Sequence, residues 1–247
     1  MAISLAFNPR QTASVDGAGA PRFMLRVLNG EAERAAAIAL RGAAYVAMGH
    51  MTDEPGVSFT DRYDELATTA LLGAYDEDRL VGTMRVSFSH PWQNLTSLPC
   101  ASYYPALADV KRDANGSLIE ISRMAIDASV ENRSYRTTLY ASLVRAGYLA
   151  AEAASVSTIL IATKPDWVRF YQYMLGFEMI GKPAKYPPGD FEIALLGGSL
   201  GQAQKRQRLQ NAFFRITLDE IASMRAALGA QLARPAAAAG QKRQSYV

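Results

Sequence analysis

The spacing of apolar and polar positions changes period several times along this chain, and the clearest changes fall between Leu118 and Gly176. Two short β-branched runs, Leu118–Ile126 and Thr158–Ala162, are each followed by apolar residues at helical spacing, over Arg136–Ala154 and Trp167–Gly176. Strand–helix–strand–helix order predicts two parallel or nearly parallel strands joined by right-handed crossovers. The first strand carries three polar residues, Glu120, Ser122 and Arg123, inside an otherwise apolar run. A buried strand avoids such groups unless they are paired or used. This is therefore the candidate active-site strand.

The flanking segments follow the same logic. Phe23–Leu28 reads as a first strand, and Asn29 as the cap of a helix with Glu31 and Glu33 in its first turn. Ala37, Leu40, Ala44 and Met48 repeat at helical spacing, and Arg41 and Tyr45, four apart, share a face. Residues 49–66 read as loop or irregular helix and contain Asp61-Arg-Tyr-Asp64. Ala70–Tyr75 and Arg79–Phe88 flank Asp76-Glu-Asp78, a hairpin signal. Residues 89–116 have prolines and aromatics but no period, which predicts a long loop. Phe177–Gly181 and Asp190–Leu196 predict two more strands, split by a segment with three prolines. Thr217-Leu-Asp-Glu220 is a capping-box pattern, with Ile221, Met224 and Leu228 as the apolar stripe behind it.

These elements divide the chain into a flexible arm over 1–21, one α/β (α+β) domain over 22–200, a C-terminal helical extension over 201–233 and a disordered Ala-rich basic tail over 234–247. Composition narrows the function classes. The 49% apolar and 20% charged content is that of an ordinary soluble globular protein. No apolar run reaches membrane-spanning length, and no basic n-region precedes an apolar core, so a cytoplasmic protein without a signal peptide is expected. A single cysteine, Cys100, excludes an internal disulfide, and with only His50 and His90 beside it no metal site is expected. A net charge of +3 predicts no general affinity for nucleic acid.

Phe170-Tyr-Gln-Tyr-Met-Leu-Gly-Phe177 resembles the closing motif of the GNAT acyltransferase fold, and the order of elements resembles that fold across roughly residues 22–197. A GNAT-like fold implies a central mixed, twisted sheet flanked by helices. A second resemblance is more specific. Acyl-homoserine lactone (autoinducer) synthases and the related long-chain N-acyl amino acid synthases carry a scattered polar signature. Here it reads Arg41 and Tyr45 on the first helix, Asp61 and Asp64 in Asp-x-Tyr-Asp, Gly82 and Arg85 on the hairpin, and Glu120, Ser122 and Arg123 on the candidate strand. His50-Met51 stands where lactone synthases carry a tryptophan, which favours the N-acyl amino acid branch.

The resemblance implies transfer of a fatty acyl group to the amine of an amino acid, with tyrosine a candidate acceptor. It implies acyl-phosphopantetheine as the donor, on acyl carrier protein or coenzyme A, with no permanently bound cofactor. Arg41, Tyr45, Asp61, Asp64, Arg85, Ser122 and Arg123 are then expected to hold the acceptor, with Glu120 as base through a water. Backbone amides near Met124–Ile126 are expected to bind the oxyanion. The usual leaving-group acid falls on Gln172, with Tyr171 and Tyr173 beside it, and Tyr171 is the candidate. The turn Asn132–Thr138 lacks the glycines that cradle a pyrophosphate. A single phosphate asks less, and Arg133, Arg136 and Thr137 are expected to take it, with Arg145 and Lys164 facing an acidic carrier protein. Alternation places the Glu120 side chain with that of Ser122 and opposite that of Arg123. Glu120 then pairs with Arg41 or Arg85, or faces the cleft with a raised pKa. The rival readings are a lactone synthase, an acetyl-coenzyme A enzyme, a silent acyl-binding domain, and a purely structural ion-pair network.

Overall fold

Short, largely buried apolar runs build the central strands, and the order in which they pair decides where the chain opens. The computed structural model describes residues 5–6, 23–51, 59–113, 116–185, 191–210 and 215–233. The predicted tail, and the predicted arm apart from residues 5–6, lie outside them. The strands are β1 (Leu5–Ala6), β2 (Phe23–Leu28), β3 (Thr69–Asp76), β4 (Arg79–Ser89), β5 (Leu118–Ile126), β6 (Thr158–Thr163), β7 (Glu178–Met179), β8 (Ala184–Lys185) and β9 (Glu192–Ser199). The helices are α1 (Glu31–Ala47), α2 (Leu107–Asp113), α3 (Arg133–Ala154), α4 (Val168–Leu175), α5 (Leu200–Gln210), α6 (Leu218–Ala227) and α7 (Gly229–Leu232). They form one mixed sheet in the order β1-β2-β3-β4-β5-β6-β9-β7, with β8 also on β9. Among the described residues only β5 and β6 pair in parallel, as the crossover order predicts.

Two local boundaries differ from expectation. Gly30 rather than Asn29 caps α1, because its amide donates to Glu33 Oε2 at 3.1 Å. Helix α3 starts at Arg133 instead of Arg136, since the Asn132 side chain accepts from the Tyr135 amide at 2.9 Å. The expected glycine-free turn is therefore the first part of this helix. The long loop over 89–116 contains short helical turns at Leu95–Ser97 and Pro99–Ser102 and then α2. Its buried Leu98, Cys100, Tyr104 and Leu107 pack with Ile180, Ile193 and Leu195 in a second core. Short turns facing a core leave no sustained period, so the segment reads as loop. The predicted strand Phe177–Gly181 shrinks to two residues, with Phe177 itself buried in the main core.

Helix α3 is buried on every side from Ser142 to Ala151. One side lies on the sheet. At Gly147 a Cβ would come within 2.8 Å of Ile121 and Met84 side chains, so glycine lets the helix approach closely. The other side is covered by α6, whose capping box is present as predicted: the Glu220 amide donates to Thr217 Oγ1 and the Thr217 amide to Glu220 Oε2. Met224, Leu228 and Ala203 belong to the main core.

The site depends on one irregularity in the sheet. The β5–β6 ladder ends at the Ile121–Ile161 pair. Beyond it β5 continues on β4 to Ile126, and β6 continues on β9 to Thr163. Along β4, Thr83 pairs with Ala125 but Arg85 with Ser122, so Arg123 and Met124 together face Met84. Arg123 has φ 55°, the left-handed conformation, which makes this a β-bulge. A bulge bends its strand, and here it bends β5 away from β6, opening a cleft between them.

Burial of Met224 at 1% against 83% exposure of Leu218 separates the two faces of α6. Urea titration of Met224→Ala should show a loss of about 2–5 kcal/mol, the usual range for a buried methionine. Leu218→Ala should leave stability unchanged within about 0.5 kcal/mol.

Candidate active site

The buried face of α1 and the middle of β4 each present an arginine to the interior, Arg41 at 2% and Arg85 at 0% exposure. Arginine does not give up its charge inside a protein, so both need carboxylates. Asp64 Oδ1 and Oδ2 accept from Arg41 Nη1 and Nη2 at 3.2 and 2.7 Å, a bidentate pair. Arg85 Nη1 donates to Asp64 Oδ1 at 3.1 Å and to Asp61 Oδ1 at 2.6 Å. Arg123 Nη2 closes the series on Asp61 Oδ2 at 3.1 Å. Thr60 Oγ1 and the Asp61 amide also donate to Asp64 Oδ2. The turn before β3 is thereby fastened to β4 and to the bulge. Burial would push the Asp64 carboxyl up, but the bond and charge of Arg41, with Arg85 and the Asp61 amide, outweigh it and hold it at about 2.

Two expectations about β5 change. Simple alternation sends Arg123 to the face opposite Glu120, but the left-handed bulge returns its guanidinium to Asp61. Glu120 shares a face with Ser122 as expected, yet it makes no ion pair with Arg41 or Arg85 and does not line the cleft. Its Oε2 accepts from the Cys100 amide at 2.9 Å, and Oε1 is buried without a hydrogen-bond partner. Burial raises the Glu120 carboxyl above its usual value, opposed by Cys100, Arg85 and Ser122.

The cleft opens where β5 leaves β6. Ile121, Met124, Ile126, Ile161, Phe191 and Ile193 give it an apolar lining. Tyr45 and His50 from α1 and the turn after it, Arg136 and Tyr140 from α3, Lys164 after β6, and Tyr171 from α4 give it polar groups. Of the predicted residues, Tyr45, Ser122, Arg123, Met124, Ile126, Arg136 and Tyr171 meet at this cleft. Arg41, Asp61, Asp64 and Arg85 stand behind it as support. Arg133 and Thr137 are exposed on the first turns of α3, where Thr137 Oγ1 donates to the Arg133 carbonyl. Arg136 Nη1 donates to the Val130 carbonyl at 2.9 Å. Arg145 does not face outward. It is buried and bonds Glu220 Oε1 at 2.7 Å and the Arg215 carbonyl at 2.8 Å, tying α3 to the C-terminal segment. Lys164 lines the cleft instead of an outer face.

Of the three residues around the predicted acid position, Tyr171 is buried in the cleft wall while Gln172 and Tyr173 are exposed. The Tyr171 hydroxyl lies 2.6 Å from that of Tyr140. Burial pushes the Tyr171 phenol up to about 12, held back by bonds to Tyr140 and Thr163. Burial also raises Tyr140, further than Tyr171. Tyr140 had no local signal, because residues on two different helices share no spacing. His50 stood out only as a departure from a motif. Its Nε2 is buried without a partner in the cleft lining, and burial followed by the Lys164 charge lowers its pKa. No cluster of metal ligands occurs among the described residues, and no helix among them is long and apolar enough to cross a membrane.

A mixed sheet splayed at one parallel pair, with a tyrosine-walled apolar cleft in the splay, defines a GNAT-type N-acyltransferase. The profile of the N-acyl amino acid synthase FeeM family matches residues 36–198. The chain belongs to that family. It is similar to the solved structure of FeeM, an N-acyl amino acid synthase from uncultured soil microbes. The TM-score is 0.61 at 22% identity, over 75% of this chain and 95% of that one. It is also similar to the acyl-homoserine lactone synthase LasI, with a TM-score of 0.52 at 13% identity over 74% and 92% of the two chains. These likenesses carry the fold. Among curated protein sequences none matches.

Asp64 titrates lower in the folded protein, about 2, than its ordinary value of 3.8. The unfolded chain therefore binds the proton first, and the contribution of Asp64 is present above about pH 4 and lost as pH falls to about 2. That window carries about 2 kcal/mol at 1.36 kcal/mol per unit. Asp64→Asn should flatten this part of the pH–stability curve and lower stability at pH 7 by about 3–5 kcal/mol, because buried Arg41 loses its carboxylate and Arg85 one of its two. Denaturant titrations from pH 2 to 7 read both effects. Losses from Arg41→Ala and Asp64→Ala should be strongly non-additive in the double variant.

Proposed function

We propose that the chain transfers a long-chain fatty acyl group from acyl carrier protein to the amine of an amino acid, giving an N-acyl amino acid. The observation that carries this reading is the apolar cleft with cations in its wall. The aliphatic lining suits a fatty chain, and Lys164 and Arg136 suit the carboxylate that an amino acid presents beside its amine. Tyrosine is the acceptor we favour, on family grounds. Beyond Ile121 the β5 edge has lost its β6 partner, so amides among Met124–Ile126 are available to the carbonyl oxygen as it becomes an oxyanion. Tyr171 gives its proton to the departing thiolate.

The amine must lose a proton before it attacks. Glu120, the base expected from the signature, is buried and sits outside the cleft lining. A second reading favours His50, whose unpaired Nε2 lies in the lining and whose lowered pKa keeps it neutral near pH 7. The two differ in the pH profile. We expect His50→Gln to lower kcat by roughly 10²–10⁴, the usual range for a lost general base, and to abolish the acidic limb of kcat. Glu120→Gln should retain that limb. The reverse pattern assigns the proton to Glu120.

Carrier protein is the proposed donor because the segment 127–132 between β5 and α3 has no glycine and carries Asp127 and Glu131. That segment offers a diphosphate neither close backbone approach nor favourable charge. Lipid extracts of an expressing bacterial host, read by mass spectrometry, should contain new N-acyl amino acids. Their absence, with purified enzyme idle on both donors, overturns the reading. Turnover with carrier-bound acyl groups should exceed that with acyl-coenzyme A. Arg133→Glu should raise the carrier KM several-fold at low salt, with the effect fading as the Debye length shortens.

A further inference from the structure

Tyr140 on α3 and Tyr171 on α4 come from different helices, yet their hydroxyl oxygens lie 2.6 Å apart in the wall of the cleft. Such a distance is short even for two hydroxyls. The rings are locked around it. Tyr140 stacks on Trp167 with centroids 4.5 Å apart, and Phe170 meets Tyr171 edge-on at 5.1 Å. Thr163, at the end of β6, lines the cleft beside them. Each hydroxyl has one proton to donate and two lone pairs. If Tyr140 donates to Tyr171, the Tyr171 proton is left to point elsewhere, and the cleft is the open side.

We infer that Tyr140 is a positioning residue for Tyr171, its hydroxyl stabilising the phenolate left when Tyr171 protonates the departing thiolate. This rests on the reading of the chain as a thioester-dependent acyltransferase. In the step, the C–S bond of the tetrahedral intermediate breaks and its electron pair goes to sulfur. Sulfur takes the Tyr171 proton and leaves as a thiol. The phenolate, held by the Tyr140 hydrogen bond, is then neutralised by the proton that the attacking nitrogen loses as the intermediate collapses to the amide, while the proton the ammonium gave up before attack passes through the base to solvent, so the enzyme returns to its starting state. Hydrogen bonds to an anion are roughly twice as strong as those between neutral groups, so the pair acts most when the charge develops. A phenol held near 12 is an acid at neutral pH and not a base, which fixes the direction of transfer. The titratable and charged groups that line the cleft with the pair are Tyr45 on α1, His50, Arg123 on β5, Arg136 on α3 and Lys164. None is a carboxylate.

The test uses the full chain, a myristoyl thioester of acyl carrier protein and tyrosine. Tyr140→Phe keeps the ring and its stacking and removes the hydroxyl. We expect kcat to fall roughly tenfold, the value of one hydrogen bond to a charged group. Donor KM should stay within about twofold, because the charge exists only during reaction. Tyr171→Phe should cost roughly 10²-fold or more, the range for a lost general acid, and the double variant no more than Tyr171→Phe alone. A second readout needs no substrate. Fluorotyrosine lowers phenol titration into a range a fold tolerates, and fluorine NMR should show the Tyr171 midpoint rising by about one pH unit in Tyr140→Phe, the same tenfold factor. An unchanged midpoint overturns the inference, as does a Tyr140→Phe enzyme with parental kcat and pH profile but lower thermal stability. A parent enzyme without turnover overturns the proposed function, while the NMR titration still decides whether Tyr140 stabilises the Tyr171 phenolate.

Discussion

The guanidinium of Arg85 is wholly buried and cannot shed its charge, and much of the site follows from that constraint. Two aspartates from one short turn must reach it, so the turn before β3 has to lie against β4. Asp64 then has capacity for Arg41 and Asp61 for Arg123. The second link matters most for function. It holds Arg123 in a left-handed conformation that an arginine does not favour, and that residue is the bulge through which β5 leaves β6. An ion-pair series behind the site thus sets the shape of a cleft that most of its members never touch.

This arrangement splits the polar signature into two roles. Arg41, Asp61, Asp64 and Arg85 maintain geometry, while Ser122, Arg123 and Tyr45 also border the cleft. The other polar groups of the cleft come from elsewhere: a tyrosine pair from two helices, an imidazole just after α1, and the cations Arg136 and Lys164. Such a division suits acyl transfer between neutral and transiently charged species. Fixed charges are kept in mutual pairs where they cost least, and the cleft itself is left apolar enough for an aliphatic chain.

The family profile spans residues 36–198, yet the core does not stop there. Met224 and Leu228 cover the outer side of α3, and Arg145 bonds Glu220 across the same interface. From Ser142 to Ala151 helix α3 is therefore buried all round. It carries Tyr140, and through α4 the tyrosine pair, so a segment distant from the chemistry holds one wall of the cleft.

What the sequence determined by itself was local or periodic. The two runs flanking Asp76-Glu-Asp78 specified the hairpin, the β-branched runs at Leu118 and Thr158 specified the parallel pair, and the Thr217–Glu220 spacing specified a cap. Each depends on residues a few positions apart, where backbone geometry alone decides the outcome. Polar residues inside the β5 run also marked the right strand, since their burial has to be compensated. What only the tertiary structure decided depends on meetings between distant segments. The bulge reversed the side on which Arg123 lies, because two ladder registers meet there. Glu120 met the Cys100 amide rather than an arginine, because the loop between β4 and β5 folds back as short turns into a second core. Arg145 turned inward, because α6 covers α3. Tyr140 met Tyr171, because α3 and α4 both border the cleft where β5 leaves β6, and no spacing along a chain encodes the distance between two separate helices.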